Sequence, residues 1–384
     1  SMNSALKAFV VLISIVMSLG QAHAAPKHDQ TIFVFGGDIN RKFVQYVAGL
    51  TGKPDPRIRF VPTASADNDE NIKYWEFICT QLSIEPHVLR VWISSEHTTH
   101  TFEDILLGMD AIVVGGGNTL NMLGIWNAKG IDRIMKKALD KGIILGGGSA
   151  GSVCWFDNGV SDSRPVELSV VDGLGFLPYS HCPHYGNDAK KEMYHRLVTD
   201  RSVKAGYACD DRAGLLFRNG KLVEAVSQDD ISNSYYIQVK KGQLLSSKLE
   251  SGILLANGAI PEGSYTVSEP GKKLKDFPDR VSLDSPLDAY VSVLYNLAND
   301  RNSQYRELAS HSLSQRLGDG PAEDTPPDNN RRNMFLDSAI CRVLVYDDAV
   351  AGVIVKTYDD FYSIWYFYQE QGKWLNAGED YGGP

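Results

Sequence analysis

The stretch ILGGGSAGSVCWFDN, residues 144–158, decides how the rest of the chain is read. Ile144 and Leu145 have the character of a buried strand. Gly146, Gly147 and Gly148 then strip the chain of side chains, and a helix-compatible run begins after Ser149. A serine raised on a sharp strand-to-helix turn needs small neighbours, because a Cβ on either side would strike the sheet or fill the space that a substrate must enter. Gly147 and Gly151 flank Ser149 at minus two and plus two, which completes a G-x-S-x-G pattern. The same glycines could also serve a plain turn or a phosphate cradle. The chain has neither a P-loop lysine beside them nor a GxGxxG fingerprint, which counts against nucleotide binding.

Working outward, short apolar runs alternate with amphipathic segments. TIFVF (31–35), RIRFV (57–61), HVLRVWI (87–93), DAIVV (110–114) and GIILG (142–146) read as strands, and segments near 39–48, 68–83, 119–124 and 129–140 read as helices. The alternation predicts an α/β fold, a mostly parallel sheet covered on both faces, with functional loops at the C-terminal ends of its strands. A polar helix over 187–198 and strand-like runs to about residue 226 close this unit near residue 245. The segment 251–280 is turn-rich and reads as a connector, 284–298 as a helix, and GDGPAEDTPPDNNRR (318–332) as a polar break. The last fifty residues carry apolar and aromatic runs between short turns. They predict an antiparallel sheet, so that residues 246–384 form a smaller α+β region whose Trp365, Tyr366, Phe367 and Trp374 pack a core.

Composition narrows the function classes. Of 384 residues, 43% are hydrophobic and 22% charged, the balance of a globular protein, and the formal charge of −9 gives no support to a nucleic-acid partner. Residues 1–24 read as a cleaved export signal: Lys7, an apolar stretch from Ala8 to Leu19, and Ala22-His23-Ala24 before the cut. The expected location is therefore the periplasm or the cell exterior, with no stable membrane span after processing. Five cysteines without CxxC spacing predict neither a disulfide scaffold nor a zinc site, and no metal or organic cofactor is expected.

A serine hydroxyl needs a base within hydrogen-bond reach. His181 and His184, in YSHCPHYGND, carry equal weight on the residues alone, and Asp157, Asp162, Asp188, Asp210 and Asp211 are all available to hold the imidazole. An oxyanion hole would combine the amide of Ala150, at the start of the helix, with that of Gly116 or Gly117 in VVGGGNTLNML (113–123).

These motifs, with FVFGGD (33–38), VPTAS (61–65), the Ser161-Asp162 pair, PHY (183–185) and ACDDRAGLLF (208–217), occur in the order found in the peptidase E family. Over roughly residues 30–240 the chain resembles that family of serine peptidases, family S51, which includes aspartyl dipeptidase and, more distantly, cyanophycinase. The resemblance implies a three-layer fold similar to class I glutamine amidotransferases, with Ser149 as nucleophile, His184 as base, and Asp211 where family members commonly carry a glutamate. It also implies substrate contacts near Asp162 and Asn118. The expected substrate is a short peptide, in the aspartyl dipeptidases one with an acidic first residue. Arg164, Arg212 and Lys190 are the candidate partners for such a carboxylate. A cyanophycinase-like hydrolase and a noncatalytic peptide- or glycan-binding protein are the alternatives, and a homodimer is a further expectation.

Overall fold

The computed structural model describes residues 28–92, 99–255, 257–261, 263–318, 320, 322–357 and 362–381; the expected export signal lies outside them. Five parallel strands, β1 (Thr31–Phe35), β2 (Arg57–Val61), β3 (Glu85–Val88), β4 (Ala111–Val114) and β5 (Ile144–Gly148), run in the order β1-β5-β4-β2-β3. β1, β4 and β5, in the middle of the sheet, are apolar and buried along their whole length because both faces are covered. Ile32, Val34, Ile112 and Val114 enter one core with Trp126 and Trp155. Phe33, Phe35, Ala111 and Val113 enter the other with Phe43 and Trp75.

A second sheet is assembled from β6 (Phe156–Ser161), β7 (Ser169–Asp172), β8 (Leu177–Cys182) and β9 (Gly206–Cys209). The chain then returns to the large sheet through β10 (Ala213–Arg218), antiparallel to β1, and β11 (Lys221–Ser227). The hairpin of β12 (Ser234–Lys240) and β13 (Gln243–Lys248) completes the second sheet, and β14 (Gly252–Ile253) pairs with β11 at the edge of the first. The fold is α/β with a mostly parallel central sheet.

The apolar run 87–93 is not the strand its composition suggests. Pairing stops at Val88, because the Asp67 carboxylate accepts the Val91 and Trp92 amides at 2.6 Å each and draws the chain off the sheet. Residue 93 lies outside the described residues. The segment read as a connector supplies β15 (Tyr265–Ser268) and β16 (Lys272–Lys273), both paired with β17 (Ala339–Tyr346). The polar break also ends in structure: Asp328 caps a helix over Asn329–Asp337 by accepting the amides of Asn330 and Arg331.

The C-terminal sheet continues through β18 (Val350–Lys356), β19 (Tyr362–Glu370) and β20 (Lys373–Tyr381), all antiparallel. One face carries Trp365, Phe367 and Trp374 into a core against the helix Pro286–Ala298. That helix starts where it does because Ser285 accepts the Asp288 amide and proline occupies the first turn, where no backbone donor is needed. Tyr366 points to the opposite face and packs with Ile253, Leu344 and Ile364. Among the described residues, no helix is long and apolar enough to cross a membrane.

Candidate active site

β5 lies between β1 and β4, so its C-terminal end opens at the middle of the large sheet. Space there is minimal. A Cβ on Gly148 would lie 2.0 Å from the Gly37 carbonyl oxygen, and one on Gly151 would lie 2.1 Å from that of Val114. Ser149 follows with φ 52° and ψ −118°, a conformation that side-chain-bearing residues rarely adopt, and the helix Ala150–Val153 starts immediately after it. The turn lifts the hydroxyl clear of the sheet while the first helical amides stay beside it.

The neighbouring chain ends bring two further groups. His184, itself at φ 50°, stands just past the end of β8, where its amide bonds the Gly36 carbonyl at 3.3 Å. Asp211 sits between β9 and β10 and is drawn toward β1 because the Gly37 amide bonds its carbonyl at 3.0 Å. The Ser149 hydroxyl therefore lies 2.9 Å from His184 Nε2, and His184 Nδ1 lies 2.7 Å from Asp211 Oδ1. An Nδ1–H that donates to the carboxylate leaves Nε2 free to accept the serine proton. The bond to His184 holds the Asp211 carboxyl below its usual range, against the opposing effect of lost solvation.

His181 takes a different place. Its ring is fully buried, stacks on Phe156 at 4.3 Å, donates from Nδ1 to the Tyr207 carbonyl at 2.9 Å and meets the Ser152 hydroxyl at 2.9 Å. Burial pushes its pKa down to about 3, and both ring nitrogens are taken up by Tyr207 and Ser152 rather than by Ser149. It stands one layer below, where the single Ser152 hydroxyl proton has two acceptors in reach, the Ser149 carbonyl at 2.7 Å and His181 Nε2 at 2.9 Å. Burial likewise raises the thiols of Cys154 and Cys182, and neither stands at the turn.

A cavity of about 680 Å³ opens over Ser149 and His184, bounded by Asp38, Ile39, Phe60, Tyr74, Asn118 and Asp162 among others. Gly116 and Gly117 line it, and among the described residues the amides of Gly116, Gly117 and Ala150 have no acceptor from the protein. Asn118 borders the cavity, but its side chain is engaged: Oδ1 accepts the Asn121 amide at 3.0 Å and Nδ2 donates to the Ser163 carbonyl at 3.0 Å. Asp162 lines the cavity and faces Lys190 Nζ at 3.3 Å.

The two arginines expected at the substrate are elsewhere. Arg164 bonds Ser169 Oγ and the Val170 carbonyl at 2.8 and 3.0 Å, because the strand pairing of β6 with β7 turns that loop outward. Arg212 follows Asp211 but points the other way, toward Asp229 at 3.8 Å and the carbonyl of Tyr362 in β19. Neither lines the cavity. Asp38 does line the cavity, although no motif in the sequence marks it as a site residue. It follows directly after a strand and a glycine pair in FVFGGD, and stands at the end of β1 across the cavity lining from Ser149.

Residues 32–225 match the model of peptidase family S51. The chain is 35% identical over 206 residues to the uncharacterized peptidase YgaJ of Bacillus subtilis strain 168, covering 53% of this chain and 88% of that relative. It is 26% identical over 196 residues to the uncharacterized peptidase Lmo0363 of Listeria monocytogenes, covering 48% and 92%. Among solved structures, a putative peptidase E protein from Listeria monocytogenes EGD-e aligns at 20% identity and TM-score 0.40, over 52% of this chain and 100% of that one. A peptidase from an acI-B1 Actinobacterium aligns at 14% identity and TM-score 0.46, over 58% and 96%.

Proposed function

Because the chain belongs to peptidase family S51, we propose that it is a serine-type peptidase that cleaves short peptides through an acyl-enzyme, in the manner of a dipeptidase. The observation that carries this reading is the unbroken run of hydrogen bonds from Ser149 through His184 to Asp211, at 2.9 and 2.7 Å, on the floor of an open cavity. His184 takes the Ser149 proton as Oγ attacks the peptide carbonyl. The amides of Ala150 and of Gly116 or Gly117 receive the oxyanion, and they are worth most there because they are already oriented. His184 then protonates the departing amine, and water repeats the cycle to release the acid. Asp211 remains ionised throughout and steadies the imidazolium.

A preference for an acidic first residue draws no support from the cavity, since Arg164 and Arg212 are both engaged outside it and Lys190 is paired with Asp162. Export to the periplasm or cell exterior is part of the proposal and rests on the N-terminal apolar segment.

The test is intact-protein mass after incubation with a serine-directed fluorophosphonate, with S149A as control. The expected result is one probe mass on the wild type and none on S149A, with peptide turnover by S149A reduced on the order of a millionfold. A loss of turnover smaller than about tenfold would overturn the assignment, since removal of the nucleophile in such a triad costs far more.

A further inference from the structure

The cleft beside Ser149 is acidic in a way the triad does not use. Asp38, Glu70 and Asp162 all line it, and among the described residues no lysine or arginine does. Two of these carboxylates already face ammonium groups: Glu70 meets Lys73 Nζ at 3.0 Å and Asp162 meets Lys190 Nζ at 3.3 Å. Asp38 differs, because among the described residues its carboxylate has neither a hydrogen-bond donor nor a lysine or arginine within ion-pair distance. Asp38 is exposed to the cavity, and its pKa is raised by the water that the neighbouring protein displaces and by Asp211, against the opposing effect of His184. A carboxylate kept in this condition is stabilised by the arrival of a cation.

Its position says which cation. A methyl group placed on Gly116 would sit 2.7 Å from Asp38 Oδ1, 3.1 Å from Ser149 Cβ and 3.6 Å from Ser149 Oγ. The carboxylate, the backbone expected to receive the oxyanion and the nucleophile thus converge on one small volume. A substrate carbonyl attacked there carries its leaving amine on one side and its Cα on the other. The leaving nitrogen is a neutral amide in the bound substrate, so the nitrogen on that Cα is the nearest group that arrives with a positive charge.

Building on the serine-peptidase reading above, we infer that Asp38 is a specificity-determining residue that binds the free α-ammonium of the substrate, so that Ser149 attacks the first peptide bond of the chain. In the acylation step the bond from Ser149 Oγ to the carbonyl carbon forms and the C–N bond of that first peptide link breaks. The serine proton passes through His184 to the departing amine. The α-ammonium keeps its own protons, because Asp38 only accepts hydrogen bonds from it. Water then cleaves the ester and frees a single amino acid. The same acidic wall repels an aspartate or glutamate side chain at the first position, so the preferred first residue is neutral or basic.

The experiment compares alanyl-alanine amide with its N-acetyl derivative as substrates for the full chain and for D38N. The wild type is expected to favour the free amine by about a hundredfold in kcat/KM, and D38N to shrink that ratio by roughly tenfold or more, chiefly through KM, as loss of a charged hydrogen-bonding partner requires. Each variant is its own control, because both substrates meet the same folded protein. Should D38N fail to fold, D38E displaces the carboxylate by one methylene and is expected to lower the ratio in the same direction. If Ser149 takes the fluorophosphonate but neither amide is turned over, protection by alanine amide, and not by N-acetylalanine amide, becomes the readout. Similar rates for both substrates in the wild type, a proportional loss on both in D38N, or equal protection by both amides would overturn the inference while leaving the nucleophile assignment intact. Absence of labelling on wild-type Ser149 would instead bring down the serine-peptidase reading, and this inference with it.

Discussion

At the scale of single residues, Asp211 shows how a shorter side chain can fill a longer one's place. The resemblance to peptidase E leads to the expectation of a glutamate, yet the aspartate reaches His184 at 2.7 Å because the Gly37 amide pulls the Asp211 backbone inward at 3.0 Å. D211N should therefore lower kcat by roughly a thousandfold or more with little change in KM, since it leaves the imidazole without its anionic partner. D211E should also lose activity, because the extra methylene pushes the carboxylate past a loop that is already closed; steady-state kinetics on the two variants checks both. G116A is the complementary case. Its methyl would meet Asp38 and Ser149 at 2.7 and 3.1 Å, so kcat should fall at least tenfold as the oxyanion position is distorted, while the thermal midpoint stays close to that of the wild type. The proposed nucleophile was legible in the sequence because its glycines have a mechanical meaning. The proposed base was not, because His181 and His184 are three residues apart and differ only in where strand pairing stops. His181 still pairs with Tyr207 inside the second sheet, whereas His184 lies beyond the end of β8.

At the scale of elements, the short link between β9 and β10 carries two adjacent carboxylates with opposite fates. Asp211 is stabilised as an anion by His184. Asp210 accepts the Asn233 amide at 2.8 Å, but burial, assisted by Asp211 and Asp229, raises its pKa to about 6. The folded protein thus holds this proton more tightly than the unfolded chain, whose value is near 3.8, so stability falls as pH rises from there through about 6. D210N keeps an acceptor for Asn233 and removes the charge. Its thermal midpoint should exceed that of the wild type at about pH 7.5, with the difference vanishing near pH 4. A constant difference across that range would mean that the gain comes from packing rather than from the proton. The same scale explains which strands were readable. β1, β2 and β4 announce themselves as runs buried on both faces, but the run at 87–93 is equally apolar and leaves the sheet because a distant carboxylate, Asp67, claims its amides. A partner separated by more than twenty residues leaves no local trace in composition. The C-terminal strands were legible because their aromatics fall between turns, whereas β15 and β16, short and exposed, gain their identity only by pairing with β17.

At the scale of the whole molecule, the two halves meet through buried polar contacts as well as apolar ones. Lys42 is almost fully buried and donates to the Tyr366 hydroxyl and, at 3.2 Å, to the Gln228 carbonyl. Tyr366 in turn donates to the Leu254 carbonyl at 3.0 Å, and Arg342 pairs with Asp230 at 2.9 Å. Y366F removes the hydroxyl on which the buried ammonium relies. It should cost about 1.5–3 kcal/mol in denaturant unfolding, the usual worth of a buried hydrogen bond to a charged group. kcat should change little, since Tyr366 does not line the catalytic cavity. The grip of β19 on Arg212 has a broader implication. A chain shortened to its family-matching portion would retain Ser149, His184 and Asp211, and would look complete to anyone designing a minimal enzyme. It would lack the splint: the guanidinium one residue from Asp211 would lose the Tyr362 carbonyl in β19, one of the groups that hold it turned away from His184.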